Sequence, residues 1–109
     1  MRERRQFQRW KCLISCICSG QGLFLTGQVV DLSYGGACVA KPTEIPPVGI
    51  ELDVAFDGTF ALKAKVVYLN LERDNPKHRD HFGLEFSGAW KEKLEKLKPL
   101  LQRYVENLD

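Results

Sequence analysis

The sequence predicts an all-β fold: a six-stranded antiparallel β-barrel with a C-terminal α-helix over its edge or open end. Three observations predict it. Short runs of apolar and β-tolerant residues recur, the clearest of them alternating with period two. Clusters rich in glycine, proline, serine and aspartate separate these runs. After Trp90 the apolar period changes to that of a helix.

Residues 10–18, WKCLISCIC, read as the first strand, and SGQG at 19–22 as a turn. Phe24–Val30 is the second strand, DLSYGG at 31–36 a turn cluster, and Ala37–Ala40 a short third strand. KPTEIPPVG, 41–49, is a loop, because Pro42, Pro46 and Pro47 have no N–H to give to a ladder. In IELDVAF, 50–56, Ile50, Leu52, Val54 and Phe56 share a face, and Asp57-Gly58 signals a hairpin. Residues 59–71 alternate again, with Phe60, Leu62, Ala64, Val66 and Tyr68 expected on one face. ERDNPKHRD is a polar loop and HFGLEF, 81–86, the last strand. From Trp90, the residues Leu94, Leu97, Leu101, Tyr104, Val105 and Leu108 form a helical stripe that Leu100 would widen. Ser87 is the expected N-cap. Pro99 inside the stripe predicts a kink or break near Lys98.

At 109 residues and 44% hydrophobic content, the chain reads as one domain with a core of its own. It divides into an arginine-rich arm (1–9), a barrel (10–87) and a helix (88–109). No apolar run approaches the roughly 20 residues that span a membrane, and no secretory signal follows the N-terminal charges, so a cytoplasmic location is expected. In that reducing setting Cys12, Cys16, Cys18 and Cys38 stay free thiols. The first three fall on even positions and would share one face of a strand. Neither their spacing nor the distant His78 and His81 matches a metal site, so no metal and no cofactor are expected. No nucleophile–base pair is spaced for catalysis, and no enzyme is expected. Glu51, Asp53 and Asp57 read as solvated edge charges.

Net charge is only +2, but it is unevenly placed. Residues 1–11 carry Arg2, Arg4, Arg5, Arg9 and Lys11 against Glu3, a local +4, so the rest of the chain sums to −2. Arg5-x-x-x-Arg9 puts two guanidiniums on one side in a helix and in an extended chain alike. Such forks match phosphate oxygens and the O6/N7 edge of guanine. A solvated basic tail would look the same. Asp31-x-Ser33-x-x-Gly36 follows a predicted strand. A carboxylate there accepts from the N1 and N2 hydrogens of guanine, a hydroxyl serves base or phosphate, and Gly35-Gly36 permits close backbone approach. A β-turn with an Asx bond is the structural alternative.

Together the two patterns resemble the paired signature of the PilZ domain family. ERRQFQRW is similar to the family's entry into its first strand, VVDLSYGGACV to the strand–turn–strand around its second motif, and HFGLEF to its closing strand. The resemblance covers roughly residues 3–86. It implies a PilZ-like six-stranded barrel that binds cyclic di-GMP, a bacterial second messenger. It assigns Arg5 and Arg9 to phosphate and the Hoogsteen edge of guanine, and Asp31, Ser33 and Gly36 to the other side of the base. Arg4, just before the motif, is expected to stack on a second, intercalated ligand molecule. The arm would be disordered without ligand and fold onto the barrel with it. Only four residues precede Arg5, so no upstream domain is expected, and the output would pass to a separate protein partner or through a homodimer. Segment 88–109 is the candidate contact, unless it packs on the barrel. The family implies control of motility, surface polysaccharide, biofilm or virulence. Two alternatives stand beside this reading: a ligand-independent PilZ-like adaptor, and a barrel binding single-stranded nucleic acid through Phe7, Arg9, Trp10 and Lys11. Low net charge counts against nucleic acid.

Overall fold

The alternating segments become strands, and the strands close on themselves. The computed structural model describes residues 8–58, 60–70 and 80–104. Its elements are β1 (Trp10–Gly20), β2 (Leu23–Leu32), β3 (Gly36–Ala40), β4 (Glu51–Phe56), β5 (Phe60–Asn70), β6 (His81–Phe86) and α1 (Trp90–Tyr104). All neighbouring strands are antiparallel, and the order β1-β2-β3-β6-β5-β4 is closed by β1 against β4. Closure pairs β1 on both sides over Cys16–Ser19. Gln21 and Gly22 (φ 54° and 79°) link β1 to β2, as the positive-φ pair of a tight hairpin turn.

Each strand sends alternate residues inward. Ile14, Cys16 and Cys18 of β1, Leu52, Val54 and Phe56 of β4, and Phe82, Leu84 and Phe86 of β6 are all buried. Burial of each large side chain contributes about 1.5–3 kcal/mol. Cys16 and Cys18 are neighbours in the core, and Cys12 packs against it from one side. Burial, with a smaller push from Asp31, raises the Cys12 thiol to about 11. All four cysteines are free thiols.

Three bulges interrupt the alternation. They lie between Lys11 and Ile14 in β1, between Val29 and Asp31 in β2, and between Val66 and Tyr68 in β5. A bulge inserts one residue and reverses the facing of the residues after it. Two expectations change. Past its bulge Tyr68 leaves the face of Leu62, Ala64 and Val66 and sits on the outer surface, 39% exposed. Asp31 belongs to the end of β2 rather than to the turn, and the connection to β3 is only residues 33–35.

The helix also departs from expectation. Ser87 is not its N-cap. The Ser87 amide donates to the Lys63 carbonyl (2.8 Å) and its hydroxyl to the Glu51 carboxylate (3.0 Å), which fixes it as a continuation of the sheet. The helix begins three residues later, beyond Gly88 at φ 102°. It then runs unbroken through Pro99. Proline inside a helix costs about 3 kcal/mol. Leu97, Leu100 and Leu101 flank it and are completely buried on the barrel, which outweighs that cost. The helix lies on β5 and β1. Its end is fixed by Tyr104, whose hydroxyl bonds the Asp57 carboxylate at the β4–β5 turn. Leu97, Leu100 and Leu101 of the apolar stripe are therefore taken up by the barrel itself; Val105 and Leu108 lie outside the described residues.

Candidate functional site

The second motif is built first by its own backbone. Ser33 is only 8% exposed. Its hydroxyl accepts from the amides of Gly35 and Gly36 (3.1 Å each) and donates to the Gly36 carbonyl (3.3 Å). The Ser33 amide donates to the same carbonyl at 2.9 Å. The Phe86 amide donates to Gly35 O, which ties the turn to the end of β6. Gly36 has a separate reason to be glycine: a Cβ there would sit 2.1 Å from the Leu84 carbonyl oxygen across the β3–β6 ladder. Ser33 and Gly36 thus build the loop. Asp31, two residues earlier, is the polar group this loop leaves at the surface, with its side chain 23% exposed.

The first motif meets it there. Arg9 Nη1 lies 3.1 Å from Asp31 Oδ2, an ion pair joining residues 22 apart in sequence. The strand register brings them together, because β1 begins at Trp10 paired with Leu32, and Lys11 is paired with Asp31. Trp10 stands edge-on to Tyr34 of the turn, with centroids 5.8 Å apart, and anchors the end of β1 beside the motif. Arg4, Arg5 and Phe7 lie outside the described residues, as does His78.

The register extends the site across the sheet. Lys11 pairs with Asp31, Asp31 with Cys38, Cys38 with Gly83, and Gly83 with Tyr68. These five residues form one transverse row over β1, β2, β3, β6 and β5. At the usual strand spacing the row is about 19 Å long. The Tyr68 hydroxyl and the Cys38 thiol are near enough to influence each other, and both feel the charges of Arg9 and Asp31. Burial is the main cause that raises both groups, so both are protonated at neutral pH. Sequence reading misses Tyr68 and Cys38. The signal for the first is present: four apolar residues in succession, Val66 to Leu69, break the alternation and mark a bulge.

The model of the PilZ domain family matches residues 3–105, nearly the whole chain. The chain belongs to that family. No curated protein matches the sequence significantly. Among solved structures, the PilZ domain of YcgR from Escherichia coli with c-di-GMP is similar at 19% identity and a TM-score of 0.64, with 93% of each chain covered. The PilZ domain of CeSA from a cellulose-synthesizing bacterium gives 16% identity and a TM-score of 0.66, covering 88% of this chain and 96% of that one. MotI/DgrA, the inhibitor of motility of Bacillus subtilis, gives 18% identity and a TM-score of 0.69 over 93% of this chain. The match covers 51% of the MotI/DgrA chain, about half its length. Among the described residues no helix is long and apolar enough to cross a membrane.

Proposed function

We propose that this protein is a cyclic di-GMP receptor that passes its signal to a protein partner. The Arg9–Asp31 pair carries the reading. It joins the two motifs of the family at one point on the barrel exterior, and both partners remain partly exposed. Without ligand each charge satisfies the other. Cyclic di-GMP offers each a replacement: guanine N1–H and N2–H donate to the Asp31 carboxylate, and phosphate or the O6/N7 edge accepts from the Arg9 fork. Arg9 exchanges a carboxylate for phosphate or a base edge and Asp31 exchanges a guanidinium for two neutral donors, so opening the pair leaves neither group without hydrogen bonds. Arg5 adds a second fork from the arm, and Arg4 stacks on an intercalated second ligand, giving two ligands per chain. The similarity to the PilZ domain of YcgR with c-di-GMP supports this ligand.

The output is motility or polysaccharide control through a separate protein in the cytoplasm. MotI/DgrA, an inhibitor of motility, supports the first of these. No catalysis is involved. Calorimetric titration with cyclic di-GMP tests the reading, with GTP and a short oligonucleotide as controls. Saturable binding at two ligands per chain, lost in Arg9→Ala and unmatched by the controls, is the expected result. Absence of heat and of any shift in melting temperature would overturn it.

A further inference from the structure

The outer faces of two neighbouring strand pairs differ in kind. On β4 and β5 the outward residues are charged: Glu51 lies across the ladder from Lys65 and Asp53 from Lys63, the second closed as an ion pair at 3.0 Å. That is the ordinary solvated face of an antiparallel sheet. On β1 the outward residues past Lys11 are Leu13, Ser15, Ile17 and Ser19, and across the ladder β2 offers Phe24, Thr26 and Gln28. None of these carries a charge. Leu13, Ile17 and Phe24 are 64%, 38% and 65% exposed. Ile17 is paired with Thr26 and Ser19 with Phe24, so Ile17 and Phe24 are diagonal neighbours on one face. The loop after β3 widens the face beside β2. Thr43 donates its amide to the Thr26 carbonyl and accepts from the Thr26 amide, each at 2.9 Å, and Ile45, two residues on, is exposed. Interspersed charge on outward positions keeps copies of a protein apart. β4 and β5 have it, and this face of β1 and β2 does not.

We propose that the outer face of β1 and β2 is where two copies of this chain associate, with Leu13, Ile17 and Phe24 at the centre of the contact. Charge points to a second copy as the occupant. A different protein is usually steered and oriented by complementary charge, and this face offers none. A twofold pairing needs none, because each copy presents the same neutral mixture of apolar and hydroxyl side chains and no like charges meet. Area sets the strength. At the usual spacings the face from Leu13 to Ser19 over β1, β2 and Ala55 of β4 spans about 20 by 14 Å, roughly 300 Å² in projection. A standard interface takes about 800 Å² from each partner. The pairing is therefore weak and follows concentration. The face begins one outward position past Lys11, so the Arg9–Asp31 pair lies outside it.

The test is sedimentation velocity of the full chain without cyclic di-GMP, from about 10 µM to about 1 mM, the range in which a contact of this size is populated. Phe24→Glu, Leu13→Glu and Val67→Glu are run beside the natural protein, with a melting temperature for each. Val67 is exposed on β5, outside this face. The natural protein and Val67→Glu should rise from the mass of one chain toward two. Phe24→Glu and Leu13→Glu set like charges against each other across the twofold contact, so they should associate at least about tenfold more weakly. Their melting temperatures should stay near that of the natural protein, since neither side chain enters the core. Should either melt early, Phe24→Thr and Leu13→Thr, which keep a strand-forming residue, are expected to weaken association in the same sense. A natural protein that remains one chain at about 1 mM would overturn the proposal and leave the face to a different protein. Unchanged association in the variants of Phe24 and Leu13, or a loss in Val67→Glu equal to theirs, would overturn it as well.

Discussion

Two regions of the barrel surface use the same chemical parts for opposite ends. Under α1, apolar contact and polar contact reinforce each other. Leu97, Leu100 and Leu101 are fully buried, while Lys96 bonds the Ala61 carbonyl at 3.1 Å, and Tyr104 and Arg103 reach Asp57. These polar contacts trim an interface that leucine already holds. Along the row from Lys11 to Tyr68, the Arg9–Asp31 pair stays open to solvent on both partners. An ion pair this exposed is worth about 0–1 kcal/mol. The regions differ in what opening them would expose: the helix contact cannot be opened without uncovering Leu97, Leu100 and Leu101, whereas the Arg9–Asp31 pair, which the proposed ligand would part, joins two partly exposed side chains.

The contrast is sharpest at the helix. Leu101→Ala should destabilise the fold by about 2–5 kcal/mol, read from urea unfolding, because it removes a completely buried side chain. Ligand affinity of the remaining folded protein should be unchanged. Gly36→Ala comes next. Its Cβ meets a backbone carbonyl that cannot move without parting β3 from β6, so a loss of about 1–3 kcal/mol or more is expected in the same assay. Ser33→Ala should cost about 1–3 kcal/mol, as the amides of Gly35 and Gly36 lose their acceptor. Its effect on ligand binding should follow from a loosened loop: a slower on-rate and a lower melting temperature together.

A smaller effect concerns pH. Burial raises Cys12 to about 11 in the folded protein, above the roughly 8.5 of an unperturbed cysteine. A group whose folded value is raised contributes stability that is complete below its unfolded value and is lost as pH rises toward the folded one. Stability should therefore decline between about pH 8.5 and 11, and Cys12→Ala should flatten part of that decline in urea midpoints measured at pH 8 and pH 10.5.

Most of the fold is legible in the sequence because a closed antiparallel barrel with a filled core imposes strict alternation on each strand. Leu52, Val54 and Phe56 show it plainly, and the switch of period at Trp90 marks the helix. The departures at Tyr68 and Asp31 have different causes. A bulge changes parity without changing composition, so simple alternation puts Tyr68 on the face of Leu62, Ala64 and Val66; Asp31 opens a cluster of turn-forming residues, yet the register keeps it in β2 against Lys11 and Cys38. Ser87 misleads for a related reason: a serine before a helix suits an N-cap, but the register with Lys63 and Glu51 has already claimed it. Pro99 reads as a breaker because propensity is local, while the leucines that override it act through the barrel. At the site, the motif residues are legible as types, but not their division of labour. Nothing in Asp-x-Ser-x-x-Gly tells which side chain holds the loop and which faces outward, and the need for glycine at its end is set by the Leu84 carbonyl on another strand.

In the proposed receptor Asp31 parts from Arg9 and accepts from the N1 and N2 hydrogens of guanine. Competition between cyclic di-GMP and cyclic di-AMP, measured on the natural protein and on Asp31→Ala, isolates that step. Adenine offers an acceptor at N1 and no N2 donor, so the natural protein should prefer cyclic di-GMP by about 100-fold or more, as buried or charged hydrogen-bonding sites do against unmatched ligands. Asp31→Ala should lose most of that preference while its unfolding midpoint moves little. A preference that survives intact in Asp31→Ala would refute the role given to this carboxylate.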